Sequence, residues 1–276
     1  MTLKNLLPFV VLVACASGQK PADNPAPGTA ATPAAGPALI DGTGAAMAGI
    51  AAGTPEQIVA APDRTEKDRS IDAKRKPVET LTFLQLKPGL RVAEIGAGGG
   101  YTTELIARSV GPQGKVFAQN PPSWIKSWLT KSWPARLERS QCANIVRIDR
   151  EWDDPLPPEA RQLDSVVNVA TYHDVIAEHH DTGAMNRAIF AALKSGGTYS
   201  IIDNTAKDKS GAAEVDRLHR IDEQFLRAEV EKAGFRFAGE DGFLRNPADD
   251  RTWNADPGAD KRTGTQDRFA IRFVKP

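Results

Sequence analysis

The chain has 276 residues, enough for one sizeable domain with appendages. Its 35 lysines and arginines balance 35 aspartates and glutamates, so no global field draws it to nucleic acid. Apolar residues make up 41% and charged residues 25%, the proportions of an ordinary soluble domain.

The first residues are less ordinary. Lys4 supplies a minimal positive start, and Leu6 to Ala14 is an apolar run. About nine residues fall far short of the roughly 20 that a spanning helix needs. The run closes on Leu12-Val13-Ala14-Cys15, which resembles a bacterial lipobox, where a signal peptide is cut before a cysteine that then takes lipid. A plain secretory signal cut near Ala14 or Ala16 is the alternative. The expectation is a signal peptide over 1–14, lipid on Cys15 and a periplasmic, membrane-anchored protein. No Asp follows Cys15, which favours the outer membrane over the inner. Cys142 is the only other cysteine, so no disulfide is expected and Cys142 reads as a small buried residue. Residues 15–53 are rich in Ala, Gly, Pro and Thr and cannot bury enough apolar surface to order themselves. They read as a tether.

Composition changes at Thr54, where Thr54-Pro55-Glu56 reads as a helix start. A dense charged stretch from Asp63 to Lys76 follows. It is either a solvated helix face laced by pairs such as Asp68–Asp72–Lys76 or a lid over a cleft, with Arg69 or Arg75 facing a carboxylate. Residues 54–89 are therefore set apart as a helical extension. Val78, Leu81, Leu84 and Leu86 give a helix that ends in the turn Lys87-Pro88-Gly89.

Leu90 to Ile95 reads as a buried strand closed by Glu94, and Tyr101 to Val110 as a helix stopped by Gly111. Between them lies Glu94-x-Gly96-x-Gly98-x-Gly100. Strand, glycine turn and helix form the nucleotide-cradling half of a doubly wound sheet. Tyr101 stands where a dinucleotide fingerprint needs its third glycine, and no Gly-Lys-Ser/Thr follows, so neither a dinucleotide motif nor a P-loop is present. The pattern resembles the first motif of class I S-adenosylmethionine-dependent methyltransferases. In that family the acid holds the cofactor's amino group, and the glycines pass under its methionine and ribose.

Downstream, helices and strands alternate, which predicts a parallel sheet. Strands are expected at Gly114–Asn120, Asn144–Asp149, Leu163–Ala170 and Thr198–Asp203, with two more starting at Phe235 and Arg268. The last alternates as an antiparallel edge strand can. Asn120 ends the second strand where the resemblance implies a ribose-binding acid. Asp149 stands where it implies an acid near the adenine, with Asp153 and Asp154 as alternatives. Trp124, Trp128 and Trp133 are spaced for one helix face, with Trp124 near an adenine. Tyr172-His173-Asp174 follows the fourth strand, beside the switch point where ligands bind in such sheets. His173 there reads as a general base of near-neutral pKa, alternatively as a loop cap; Tyr172 and Asp174 stand beside it. His219 reads as a second acceptor contact. His179-His180-Asp181 lacks metal-ligand spacing, and no metal is expected.

The resemblance runs from about Pro77 to Pro276. It is nearest to a group of bacterial predicted methyltransferases carrying Arg75-Lys76-Pro77, Tyr172-His173-Asp174 and Leu218-His219-Arg220-Ile221-Asp222. It implies a Rossmann-like α/β fold over 90–276: seven mostly parallel strands, helices on both faces and an antiparallel edge strand. It places Glu94, Gly96, Ala97, Gly98, Gly100, Tyr101, Asn120, Asp149 and Asn168 around S-adenosylmethionine. It implies methyl transfer to a small-molecule or envelope acceptor, catalysed with His173, Asp174, Tyr172 and His219. An exported enzyme would need a cytosolic cofactor delivered to it. The second reading is therefore an envelope lipoprotein that binds or senses an adenosine-like ligand without catalysis.

Overall fold

The computed structural model describes residues 53–276. The expected signal peptide, the lipidation site Cys15 and the tether up to residue 52 lie outside the described residues.

Seven strands form one sheet: β1 (Arg91–Ile95), β2 (Lys115–Asn120), β3 (Ile145–Asp149), β4 (Leu163–Val169), β5 (Leu193–Asn204), β6 (Arg236–Asp241) and β7 (Arg268–Val274). Their order is β3-β2-β1-β4-β5-β7-β6. The first five are parallel, and β7 runs antiparallel to both β5 and β6. The antiparallel strand therefore lies one place inside the edge, with β6 outside it. The chain reverses direction of winding between β1 and β4, which opens a crevice at their carboxyl ends.

The helices before the sheet are α1 (Pro55–Val59), α2 (Glu66–Ser70), α3 (Asp72–Arg75) and α4 (Pro77–Leu84). Between strands run α5 (Tyr101–Val110), α6 (Pro122–Lys126), α7 (Ser132–Leu137), α8 (Tyr172–Ala177), α9 (Thr182–Ala192), α10 (Val215–Leu218) and α11 (Glu223–Lys232). Strand residues alternate between two cores, as a period of two requires. Val92, Val116, Val167, Ile202 and Ala270 pack with Phe83 and Leu84 of α4 and Ile106 and Val110 of α5. Ala93, Phe117, Val166, Ile201 and Ile271 pack with α8, α9 and α11 through Val175, Met185, Ile189, Leu226 and Val230.

The charged stretch of the N-terminal extension is solvated on one side only: Glu66, Lys67 and Arg69 are exposed, whereas Arg64 and Asp68 are buried. Thr54 and Gln57 form a capping box that starts α1. Asp63 and Asp68 pair with the body of the domain, while Arg64 and Asp72 pair with each other without sharing a helix. Asp63 meets Arg108 at 3.0 Å and Asp68 meets Arg136 at 2.6 Å. Asp72 takes Arg64 at 2.7 Å and the Tyr101 hydroxyl at 2.6 Å. Lys76 reaches past its expected partner Asp72 to the Phe243 carbonyl at 2.6 Å. The i,i+4 ladder fails because α2 and α3 are single turns that break at Ile71.

Three further elements differ from the expectation. β5 starts at Leu193 instead of Thr198, because Leu193 pairs with Leu163 ahead of a register shift at Ser165. Tyr172-His173-Asp174 is the first turn of α8, not a loop. The three tryptophans do not share a helix, since the chain bends at Ser127 between α6 and α7. Trp133 is fully buried, while Trp128 is the only large exposed hydrophobic among the described residues. Cys142 is buried, and burial raises its thiol pKa to about 11, which leaves it an inert core residue. The 241–266 segment is packed onto the domain through Asp249, which pairs with Arg220 at 2.8 Å with both side chains out of solvent.

Candidate functional site

The loop from β1 to α5 is held from beneath by its neighbour strand. Gln119 accepts a hydrogen bond from the Gly96 N–H at 3.0 Å. Asn120 accepts from the Gly98 N–H at 2.7 Å and donates back to the Gly98 carbonyl at 3.1 Å. The three glycines answer different needs. A side chain at Gly96 would strike the side chain of Thr171. At Gly100 it would strike Arg136 and Trp133 at 2.8 Å. At Gly98, with φ +56, it would meet only Trp128 at 3.7 Å. Gly98 is thus the place where bare backbone faces open space beside an aromatic ring, as a ligand cradle requires. Ala97 is buried against the α6–α7 segment.

Glu94 points to the α4/α5 face and is 2% exposed. Its carboxyl accepts from the Thr103 hydroxyl. Burial raises its pKa to about 8, against the opposing pull of that hydrogen bond and of the Arg75 charge. At neutral pH it is mostly a protonated acid buried behind the loop. Tyr101 opens α5 and donates to Asp72, with the guanidiniums of Arg64 and Arg75 at 5.7 and 5.6 Å from its ring.

The segment after β4 is made of side chains. His173 is 3% exposed. Its Nδ1 lies 2.6 Å from Asp203 and its Nε2 3.2 Å from Asp174. Asp203, fully buried at the end of β5, also accepts from the His173 and Asn204 backbone N–H groups at 3.0 and 2.7 Å. Burial alone would lower the His173 pKa, but the Asp203 and Asp174 charges outweigh it and hold the pKa well above its ordinary value. The expected neutral imidazole is therefore corrected to an imidazolium clamped between two carboxylates. The His219 ring lies edge-on to it, centroids 5.5 Å apart, with Nδ1 buried and unpartnered. His219 ends α10 in a left-handed conformation.

Two more expectations need correction. Tyr172 does not project toward an acceptor. It is fully buried in the core and its hydroxyl accepts from Asn186 at 2.8 Å. Both amide atoms of Asn120 are engaged by Gly98 and the residue is fully buried, so its side chain clamps the loop. Asp149 is exposed beside Asn120 in the sheet register, paired with Arg147 of its own strand at 2.6 Å. Asn168 is fully buried at the end of β4. Its oxygen meets the Thr171 hydroxyl at 2.9 Å and its Nδ2 has no partner. Two of the unpartnered buried polar atoms, on Asn168 at the end of β4 and on His219 near the end of β5, lie where a polar ligand would satisfy them.

Sequence reasoning missed Asp203, Thr171 and Gln119. Asp203 closes a buried strand as Glu94 does, and Gln119-Asn120 interrupts an apolar strand; both were signals of engaged polar groups. Trp124 lies against Trp152 at 5.0 Å, and Glu178 receives the indole N–H of each, so these rings are fixed by the carboxylate. Among the described residues no group of three or more His, Cys, Asp or Glu is placed to hold a metal.

Residues 58–146 match the model of the protein-L-isoaspartate(D-aspartate) O-methyltransferase family. No curated protein matches the chain in sequence. Among solved structures, a SAM-dependent methyltransferase from Aquifex aeolicus is similar over 80% of this chain and 98% of its own, with TM-score 0.55 and 18% identity. The cyclase SpnF is similar over 76% of this chain and 81% of its own, with TM-score 0.54 and 16% identity. These likenesses establish the Rossmann-like methyltransferase fold. They also show that fold hosting another chemistry, so activity is argued from the site.

Proposed function

We propose that the chain transfers a methyl group from S-adenosylmethionine to a small-molecule or envelope acceptor bound past the end of β4. The observation that carries this reading is the β1–α5 loop. It lies at the switch between β1 and β4, with an acid buried behind it and the Gly98 backbone left open. The matched family model and the fold support S-adenosylmethionine as cofactor. When bound, the cofactor supplies a methyl group on a sulfonium, an electrophile that needs positioning more than activation.

The chain's residues have separable tasks under this reading. Gln119 and Asn120 fix the Gly96 and Gly98 peptides so that the loop meets the ligand without rearranging. Trp128 offers an aromatic face beside Gly98. His173 has both ring nitrogens engaged and keeps its proton at neutral pH, so it orients its neighbours and does not act as base. His219 has a ring nitrogen free of protein partners, which makes it the group able to take a proton from an oxygen or nitrogen acceptor. The balanced charge of the chain supports an acceptor other than nucleic acid.

The test is calorimetric titration with S-adenosylmethionine, followed by incubation of envelope extracts with methyl-labelled cofactor. Saturable binding with label transfer supports the enzyme. Binding with no labelled product would support the ligand-sensing alternative instead.

The same proposal places the protein in the periplasm on a lipid carried by Cys15, more readily at the outer membrane. Its support is the nine-residue apolar run ending on Leu12-Val13-Ala14-Cys15. Metabolic labelling with palmitate should mark the wild type and not Cys15→Ser; equal labelling of both would remove this assignment.

A further inference from the structure

A cavity on the α4/α5 face is used by no step above. Its apolar walls come from Leu81, Leu105, Val169, Ile202 and Leu244, and two guanidiniums, Arg75 and Arg268, also line it. Arg268 is only 6% exposed, yet its Nε has no partner. Its Nη2 donates to the Lys74 carbonyl at 2.7 Å, which ties it to the α3 roof. Among the described residues neither Arg75 nor Arg268 has a carboxylate within ion-pair distance. Elsewhere Arg64, Arg108, Arg136 and Arg220 all do.

The carboxyl groups near this pair do not neutralise it. Glu94 lies toward Arg75 but is held protonated by burial, with its pKa at about 8. Asp203 lies toward Arg268 and is already bound to His173. Burial and the neighbouring Arg75 charge push the Arg268 pKa down to about 10, so the two cations lie close enough to repel. Like charges in a poorly solvated pocket are unfavourable until an anion joins them.

We infer that Arg75 and Arg268 receive an anionic oxygen, of a carboxylate or a phosphate, carried by the methyl acceptor. This rests on the methyltransferase reading above. Position favours the acceptor over the cofactor. Arg268 opens β7 beside Asn204, two strands beyond β4, whereas the clamp of the glycine loop lies on β2; Tyr101 and Thr102, at the start of α5, line the cavity on the side of that loop. Size favours an oxygen over a ring, because the cavity has a volume of about 10 Å³, room for one water-sized atom. A carboxylate or phosphate oxygen there would take charge-assisted hydrogen bonds from both guanidiniums.

The test uses the purified full chain saturated with S-adenosylhomocysteine. Acetate and inorganic phosphate are titrated at constant ionic strength against chloride, and the arginine Nε–H resonances are followed by NMR. The Arg268 resonance should shift saturably with acetate or phosphate and not with chloride. Arg268→Gln and Arg75→Gln should each weaken that binding at least about tenfold, with Arg268→Lys retaining part of it. Affinity for S-adenosylhomocysteine should change little. If no anion saturates in the wild type, the arginines are structural and the inference fails. If Arg75→Gln weakens S-adenosylhomocysteine about tenfold while 5′-methylthioadenosine, which lacks the carboxylate, is unaffected, the anion belongs to the cofactor and the inference fails likewise. A wild type that binds acetate or phosphate but shows no saturable binding of S-adenosylhomocysteine would instead sink the cofactor reading, and with it the assignment of the anion to a methyl acceptor.

Discussion

The loops after β1 and after β4 leave the same end of the sheet but are built from different material. The first is backbone, with peptides of Gly96 and Gly98 aimed by two amide side chains and a missing Cβ facing open space. The second is side chain, with an imidazolium buried between two carboxylates and a second histidine against it. A backbone cradle suits a ligand that is always the same, because peptide groups cannot be varied by substitution. A side-chain cluster suits the partner that differs between enzymes of one fold. The two loops should therefore fail in different ways when altered.

The largest effect is expected at the second loop. Asp203→Asn leaves the buried His173 imidazolium with one partner, which costs about 3 kcal/mol or more of stability. Denaturant unfolding at pH 7 should show it, and a loss under 1 kcal/mol would mean that His173 is neutral in the fold. At the first loop, Gly98→Val fills the cradle and forces a branched residue to φ +56. Affinity for S-adenosylmethionine should fall by about a hundredfold, roughly 2.7 kcal/mol. The circular dichroism spectrum should stay native.

Two smaller effects sharpen the contrast. The folded-state pKa values of Glu94 and His173 are both raised, so each group binds its proton more tightly in the folded state. Their contribution is fully present below the unfolded pKa of each and is lost as pH rises. Glu94 loses it up to about 8, and His173 from 6.5 upward through its higher folded value. Between about pH 6.5 and 8 stability should fall by up to about 1.4 kcal/mol per pH unit for each group. Glu94→Gln should remove the first contribution and leave a shallower slope. A profile unchanged by that substitution would show Glu94 to be ionised. Smallest of all, Asn120→Asp replaces a donor to the Gly98 carbonyl with a carboxylate facing it. Cofactor affinity should drop about tenfold through the distorted loop. A ribose-binding acid would tighten it instead, so the direction alone separates the two roles.

The first loop was legible in the sequence because spacing along one strand and one helix set it: Glu94, the three glycines and Gly111 all act within one β-α unit. The parallel run of strands followed from the alternation of elements, but the place of the antiparallel strand, one inside the edge, did not. Asp203 lies thirty residues beyond His173 and reaches it only through the pairing of β4 with β5, which no local pattern announces. The fate of Asn120 was hidden for a related reason. An amide at a strand end is compatible with a ligand or with a backbone clamp, and only the approach of the Gly98 peptide decides. The charged stretch before Pro77 stayed open between a helix face and a lid because its partners, Arg108 and Arg136, come from later segments.

The most direct test of the central claim is calorimetric titration of S-adenosylhomocysteine into the full-length wild type and into Gly98→Val at pH 7. One saturable site in the wild type, lost in a folded Gly98→Val, is the predicted result. No saturable binding to the wild type, or equal binding to both, would contradict it.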